Sequence, residues 1–311
     1  MLIRESDNAI INKNIYRRTI MTILKAIILG IVQGATEFLP VSSSGHLSVM
    51  QHFMGLSGNG ALFVTVMLHV GTLAAVILVF YKTFWMLIKE FFKALFDLVR
   101  GKFSFRNMSN ERSMLVMLII SCLPLLILMV PFGGDMRFKD IVSSFAEDND
   151  IVLEGCCFLL TAFVLFSACY VQKHNKHPRP AVNSEDALYI GFAQLFAACL
   201  PGLSRSGSTI SAGMLSGVDK NYMVTYSFVL GTPAVLAASL VEIKDAFGTA
   251  QMAPEYKAPV IAGMITAAIV GVLAIKLLQW MVRKDKFRFF AWYCTVLGVI
   301  VTGIGISEYI K

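Results

Sequence analysis

Between Gln33 and His46 the chain reads Q-G-A-T-E-F-L-P-V-S-S-S-G-H. A carboxylate (Glu37), three hydroxyls (Ser42, Ser43, Ser44) and an imidazole (His46) crowd around Pro40 and Gly45, with oily sequence on both sides. Ionisable groups at membrane depth are costly, so Glu37 and His46 are functional candidates by default. A second polar cluster, Ser204-Arg205-Ser206-Gly207, lies far along the chain. Arg205 carries a permanently charged planar fork suited to phosphate oxygens. Both clusters offer hydroxyls and backbone N–H groups, and a helix starting after each turn adds its positive end. Together they describe an anion site. Glu37 and His46 add a possible base and acid that binding alone would not need. Ser43, three residues before His46, is near enough to be activated as a nucleophile if the turn folds that way. Phosphoryl or pyrophosphoryl hydrolysis inside a membrane is the chemistry this constellation suits.

The elements that must position these groups come in two copies. Gly30, Gln33, Leu39 and Pro40 fall on Gly191, Gln194, Leu200 and Pro201 at one constant offset, and Ser44-Gly45 falls on Ser206-Gly207 after one inserted residue. Val64-Thr65 and Gly71-Thr72 then fall on Val224-Thr225 and Gly231-Thr232, again at a constant offset. The chain is an internal duplication. Pro40 cannot continue a helix, so each motif is expected as two short helices joined by a polar turn. The arms at 22–39 and 41–56 are too short to cross a hydrocarbon core about 30 Å thick, which makes them a re-entrant hairpin. Spans are expected at about 62–83, 113–132 and 151–171, a second hairpin at about 186–216, and spans at about 222–243, 258–282 and 287–308, by apolar length. Segment 84–100 sets Lys89, Lys93, Asp97 and Arg100 at helical spacing against a Phe/Leu face, as a helix lying on the membrane surface does. Each half is then one hairpin plus three spans (repeat one about 22–171, repeat two about 186–308). An odd number of crossings turns the second copy over, giving an all-α integral membrane protein with an inverted-topology repeat whose site lies where the broken elements meet.

Composition agrees. The 311 residues are 56% hydrophobic and 15% charged, and the mean hydropathy is +0.68. The net charge of +7 does not signal nucleic-acid binding, because the basic residues sit in loops between spans. The six cysteines lie in apolar runs without metal-ligand spacing and suggest no disulfide framework. Residues 1–21 form a polar, basic head ahead of a single membrane domain, 22–311. The head is like the front of a signal peptide, but the cleavage region would fall inside the polar motif, so that reading is rejected. Met21 is an alternative start that would make the head dispensable. One face gathers Lys89 to Arg112, Lys173 to Arg179 and Arg283 to Arg288, whereas the other holds Asp135, Asp140, Glu147, Asp148 and Asp150. The positive-inside bias makes the basic face cytoplasmic and puts the first hairpin on the outer side, against the basic residues of the head.

G-A-T-E-F-L-P-V-S-S-S-G-H together with P-G-L-S-R-S-G closely resembles the bacterial undecaprenyl-diphosphate phosphatase family, which includes the bacitracin-resistance protein. The match runs in order from about residue 22 to the C-terminus. The resemblance implies removal of the terminal phosphate from undecaprenyl diphosphate, a polyprenyl diphosphate lipid. That reaction recycles the carrier for peptidoglycan and other envelope polymers in the bacterial plasma membrane, at a site open to the periplasm. By position it implies Ser43 as nucleophile or water-orienting group, His46 as its acid/base partner, Glu37 as base or metal-site carboxylate, and Arg205 as diphosphate clamp. Ser42, Ser44, Gly45, Ser204, Ser206, Thr209 and Gln33 fall on flanking substrate-binding positions. It also implies dependence on a divalent cation, Mg²⁺ or Ca²⁺. One departure bears on this: members with a Glu at the head of the first motif have Gln33 here, so metal binding leans on Glu37 alone.

Several ionisable residues take plainer readings. His69 is expected as a packed core histidine, His52 as structural or interfacial, and His174 and His177 as solvated loop residues. The rival function is a lipid-phosphate flippase or proton-coupled anion transporter, which inverted repeats with broken helices also serve. The other membrane lipid-phosphatase superfamily shares S-G-H but places a His six residues after its Arg. That position is Ser211 here.

Overall fold

The computed structural model describes residues 21–56, 59–105, 108–130, 151–200, 202–246 and 254–310. The basic head, the acidic stretch from Asp135 to Asp150, and Pro201 lie outside them. Regular structure among the described residues is helical, apart from one isolated bridge between Arg179 and Val218.

The first motif folds as α1 (Ile23–Phe38) and α2 (Ser43–Met54). α1 stops at Leu39, whose extended backbone is what a following proline favours. α2 restarts on Ser42, which accepts a hydrogen bond from the Gly45 amide at 3.2 Å. After α3 (Asn59–Val79) and α4 (Tyr81–Val99) come α5 (Asn110–Cys122) and α6 (Val152–His174). The second motif gives α7 (Ser184–Cys199), opened by an Asn183/Asp186 capping box, and α8 (Arg205–Leu215), capped by Ser204. α9 (Lys220–Ala246), α10 (Pro254–Arg283) and α11 (Arg288–Ile310) complete the chain.

Five described helical segments are long and apolar enough to cross a membrane: Asn110–Met129, Val152–His174, Lys220–Val241, Lys257–Arg283 and Arg288–Glu308. Phe63–Val79 with Tyr81–Val99 makes a sixth only if that bent pair is one span. Three expectations need adjusting. The span expected at 62–83 ends at Val79, where the chain turns through 84°. Buried Phe80 anchors this corner, its ring 5.9 Å from that of Phe228. The surface helix expected at 84–100 therefore begins earlier, at Tyr81, with Leu87 and Glu90 inward and Trp85, Phe92 and Phe96 outward. The span expected at 113–132 is α-helical only to Cys122. Pro124 has no N–H to give, and Leu123–Met129 tightens to a 3-10 helix.

Each motif packs on the other half of the chain. α1 lies along α10, and α7 along α5. A methyl group on Gly30 would stand 2.5 Å from the Gly263 carbonyl oxygen, and one on Gly191 would stand 2.6 Å from that of Ser121. Both contacts need glycine because only a bare backbone fits so close. α11 packs against α6, closing the bundle around the two helix breaks.

Candidate active site

α1 ends in an ionisable side chain that the fold does not leave alone. Glu37 is buried at the penultimate position of α1, beside the first break. Its Oε1 accepts a hydrogen bond from Nη2 of Arg205 at 2.6 Å. Its Oε2 accepts one from Ser43 Oγ at 2.6 Å and one from Gln33 Nε2 at 3.0 Å. His69 Nε2, from the middle of α3, stands 3.5 Å from the same oxygen. One carboxylate thus joins the first residue of α2 to the first residue of α8, from opposite halves of the chain.

The second break is held as tightly. Ser204 Oγ caps the Gly207 amide at 3.0 Å, and the Ser204 amide donates to Thr161 Oγ1 at 3.3 Å. Ser206 Oγ reaches across to the Leu39 carbonyl at 3.3 Å, a direct tie between the breaks. Thr209 Oγ1 donates to the Arg205 carbonyl at 2.9 Å and pairs with Ser227 Oγ at 2.6 Å, so it braces the backbone of Arg205. Gly231 makes room for the guanidinium: a methyl group there would collide with Arg205 Nη1. Arg205 Nη1 and both amide atoms of Gln194 are buried without a protein partner.

These groups line a cavity of about 210 Å³. Glu37, Ser42, Ser43, Ser44, His69, Gln194 and Ser204 to Ser206 form its polar wall, and Leu125, Ala198, Leu203 and Val235 lie on its apolar side. At about 30 Å³ per water the space holds several waters or a phosphoryl group. Unpaired donors on one wall and apolar side chains on another suit the junction of an anionic headgroup and a hydrocarbon tail.

His46 stands apart from this wall. The Ser42 carbonyl can only accept, so His46 Nδ1–H donates to it at 2.6 Å. That leaves Nε2 to accept from the Tyr293 hydroxyl at 2.7 Å. Its ring stacks on Tyr293 and meets Phe158 edge-on, 5.0 Å between centroids. Both nitrogens are therefore occupied by partners other than Ser43, the residue it is expected to activate. Its bond to Ser42 holds a residue at φ 71°, a strained left-handed conformation for a serine. Ser44 Oγ lies 3.4 Å from Ser42 Oγ, and the ring of Phe158 closes over Gly45.

A resident divalent cation does not fit the donor set. The hydrogen-bond partners of Glu37 on both oxygens are donors, one of them a guanidinium, and the other group beside it among the described residues is the single imidazole nitrogen His69 Nε2 at 3.5 Å. No group of three or more His, Cys, Asp or Glu that could hold a metal occurs among the described residues. Gln33 Oε1 is buried without a partner, but one neutral carbonyl beside a neutralised carboxylate does not make a Mg²⁺ site, which draws on one or two carboxylates together with substrate phosphates.

The profile of the family described as "Bacitracin resistance protein BacA" matches residues 26–300. The chain belongs to this family. Among its relatives is an "Undecaprenyl-diphosphatase" of Alkaliphilus metalliredigens, 37% identical over 281 residues, covering 90% of this chain and 98% of that protein. Proteins of the same name from Methanosphaera stadtmanae and Bacteroides thetaiotaomicron are 36% and 35% identical, each over 90% of this chain and 97% and 98% of their own length.

Three residues of the site escape a reading by motif. Gln194 and Gly231 lie outside the two polar turns, and their roles come from what packs on them. His69 is different, since an ionisable group in an apolar span is the same signal that singles out Glu37.

Proposed function

We propose that this BacA-family protein hydrolyses undecaprenyl diphosphate to undecaprenyl phosphate and inorganic phosphate, recycling the lipid carrier of envelope polymers, as its relatives' name describes. The observation that carries the reading is Ser43 and Arg205 held on the two oxygens of Glu37, 2.6 Å each, on the wall of one cavity. Arg205 Nη1 is a buried, unpaired charged donor, and a diphosphate oxygen satisfies it with a strong charge-assisted bond. The same contact strengthens as charge develops on the transferred phosphoryl group. Glu37 Oε2 already holds the Ser43 proton in a hydrogen bond, which readies Oγ to attack or to orient water. The Mg²⁺ or Ca²⁺ expected from the resemblance is bound with the diphosphate rather than by the protein beforehand.

Further parts of the reading belong here. The two motifs are the hairpins of an inverted repeat. What supports it is the exchange of partners, α1 on α10 and α7 on α5, through the equivalent residues Gly30 and Gly191. The protein is multi-pass in the bacterial plasma membrane with its site facing outward, and residues 22–311 act as one domain. The basic ends of α4, α6 and α10 support a cytoplasmic opposite face.

Phosphate release from undecaprenyl diphosphate by purified protein in detergent tests the reading. Ser43→Ala and Arg205→Ala each lower kcat/KM by about a hundredfold or more while remaining folded, the scale of losing a nucleophile or a preorganised charged donor. Folded wild type that releases no phosphate with Mg²⁺ or Ca²⁺ present refutes it. Calorimetric titration of substrate-free protein shows no Mg²⁺ binding in the micromolar range. Tight binding there overturns the substrate-borne cation.

A further inference from the structure

His69 is the ionisable residue of this site that neither motif contains. It lies in the middle of α3, 24% exposed at its side chain, and lines the cavity beside Glu37 and Ser43. The Thr65 carbonyl accepts a hydrogen bond from its Nδ1 at 2.8 Å, which fixes the ring and the tautomer. The hydrogen of the neutral ring is thereby placed on Nδ1, and the lone pair of Nε2 faces Glu37 Oε2 at 3.5 Å. A proton that reaches Glu37 Oε2 therefore has a second acceptor within reach.

Ser43 needs such a place. Its hydroxyl proton points at Glu37 Oε2, which also takes the Gln33 amide, while Oε1 is held by Arg205. His46, the other candidate acceptor, has both nitrogens engaged elsewhere. The charged groups that face His69 are Glu37 from α1 and Arg205 from α8. The stretches of α9 and α10 packed on α3 are uncharged from Asn221 to Val241 and from Ala258 to Ile275. The pair therefore lies on a wall where nothing else can store a proton.

We propose that His69 is the terminal proton acceptor of the reaction, acting on Ser43 through Glu37 as a positioning residue. This deepens the phosphatase reading and rests on it. Ser43 Oγ bonds to the terminal phosphorus, and its proton passes by way of Glu37 Oε2 to His69 Nε2. The bond from that phosphorus to the bridging oxygen breaks, its electron pair leaving with undecaprenyl phosphate. Water then adds to the phosphoserine phosphorus. One water proton goes to the departing Ser43 oxygen, inorganic phosphate is released, and His69 gives its proton to solvent with the products.

The experiment compares wild type with His69→Gln, which is close in size but does not titrate. Phosphate release from undecaprenyl diphosphate is followed across pH in detergent. In His69→Gln, kcat falls tenfold to a hundredfold while KM stays within twofold. Wild-type kcat rises with pH, and that rise is absent from the variant, whose side chain accepts no proton. A variant kcat within twofold of wild type overturns the proposal, and so does a lowered kcat whose pH profile keeps that rise, since a purely structural role predicts it. Should His69→Gln fail to fold by size exclusion and thermal melting, His69→Ala, which adds no bulk, takes the same measurements. Wild type that releases no phosphate at any pH defeats the phosphatase reading itself, a separate outcome from an active wild type matched by its variant.

Discussion

The two helix breaks are copies whose frames agree and whose payloads differ. In both, a serine caps a glycine three residues on, Ser42 to Gly45 at 3.2 Å and Ser204 to Gly207 at 3.0 Å. In both, the residue after the cap opens a helix and meets Glu37; it is Ser43 in one and Arg205 in the other. The glutamines show the divergence most clearly. Gln33 spends its amide on Glu37, four residues ahead, whereas Gln194 has Ala198 at that place and is left without a protein partner. The backbones differ too, since Ser42 sits at φ 71° and Ser204 at φ −67°. Two helix starts capped in the same way thus present different groups to Glu37, a hydroxyl from one and a cation from the other.

The difference between the two breaks depends on where the cation is housed. Gly231→Ala puts a methyl group where Arg205 Nη1 now lies. The far end of a long side chain can swing away, but Glu37 then loses its counter-charge, so the melting temperature falls by the equivalent of up to about 3–5 kcal/mol. Phosphate release falls by about a hundredfold or more, because a preorganised charged donor is lost. Activity that survives means Arg205 works from another position. Ala198→Glu sharpens the contrast by giving the second break the carboxylate of the first. The new side chain competes for Arg205 and repels the diphosphate, so KM rises about tenfold, roughly 1.4 kcal/mol of binding. An unchanged KM means the substrate does not pass this wall. The smallest effects test the frame alone. Gly30→Ala and Gly191→Ala each press a methyl group on a backbone carbonyl, and thermal melts in detergent detect losses of about 1–3 kcal/mol, similar for the two. A large inequality argues that the two copies no longer pack equivalently.

Much of this was legible in the residues. The duplication, the break at Pro40 and its counterpart before Arg205, and the meeting of Glu37 with Arg205 follow from spacing and from the cost of charge in an apolar setting. The corner at Phe80 was not, because it depends on which core ring receives Phe80, and Phe228 lies far along the chain. Nor was the orientation of His46. Three residues separate it from Ser43, but the side-chain direction is settled by Tyr293 and Phe158, which no local pattern reveals. His69 was undervalued because its span looks uniformly apolar, although one imidazole there meets the same criterion as Glu37.

The ion pair between Glu37 and Arg205 spans 168 residues, and this has a consequence for biosynthesis. During translation the first hairpin is complete long before its counter-charge has been made, and a lone carboxylate in apolar surroundings is a liability. Gln33, Ser43 and His69, all within the first 70 residues, are the partners that can shelter it meanwhile. Arrival of the second hairpin then neutralises the acid and completes the anion site in one event. A half-made chain therefore lacks the means to attack the lipid carrier, and catalytic competence coincides with correct assembly.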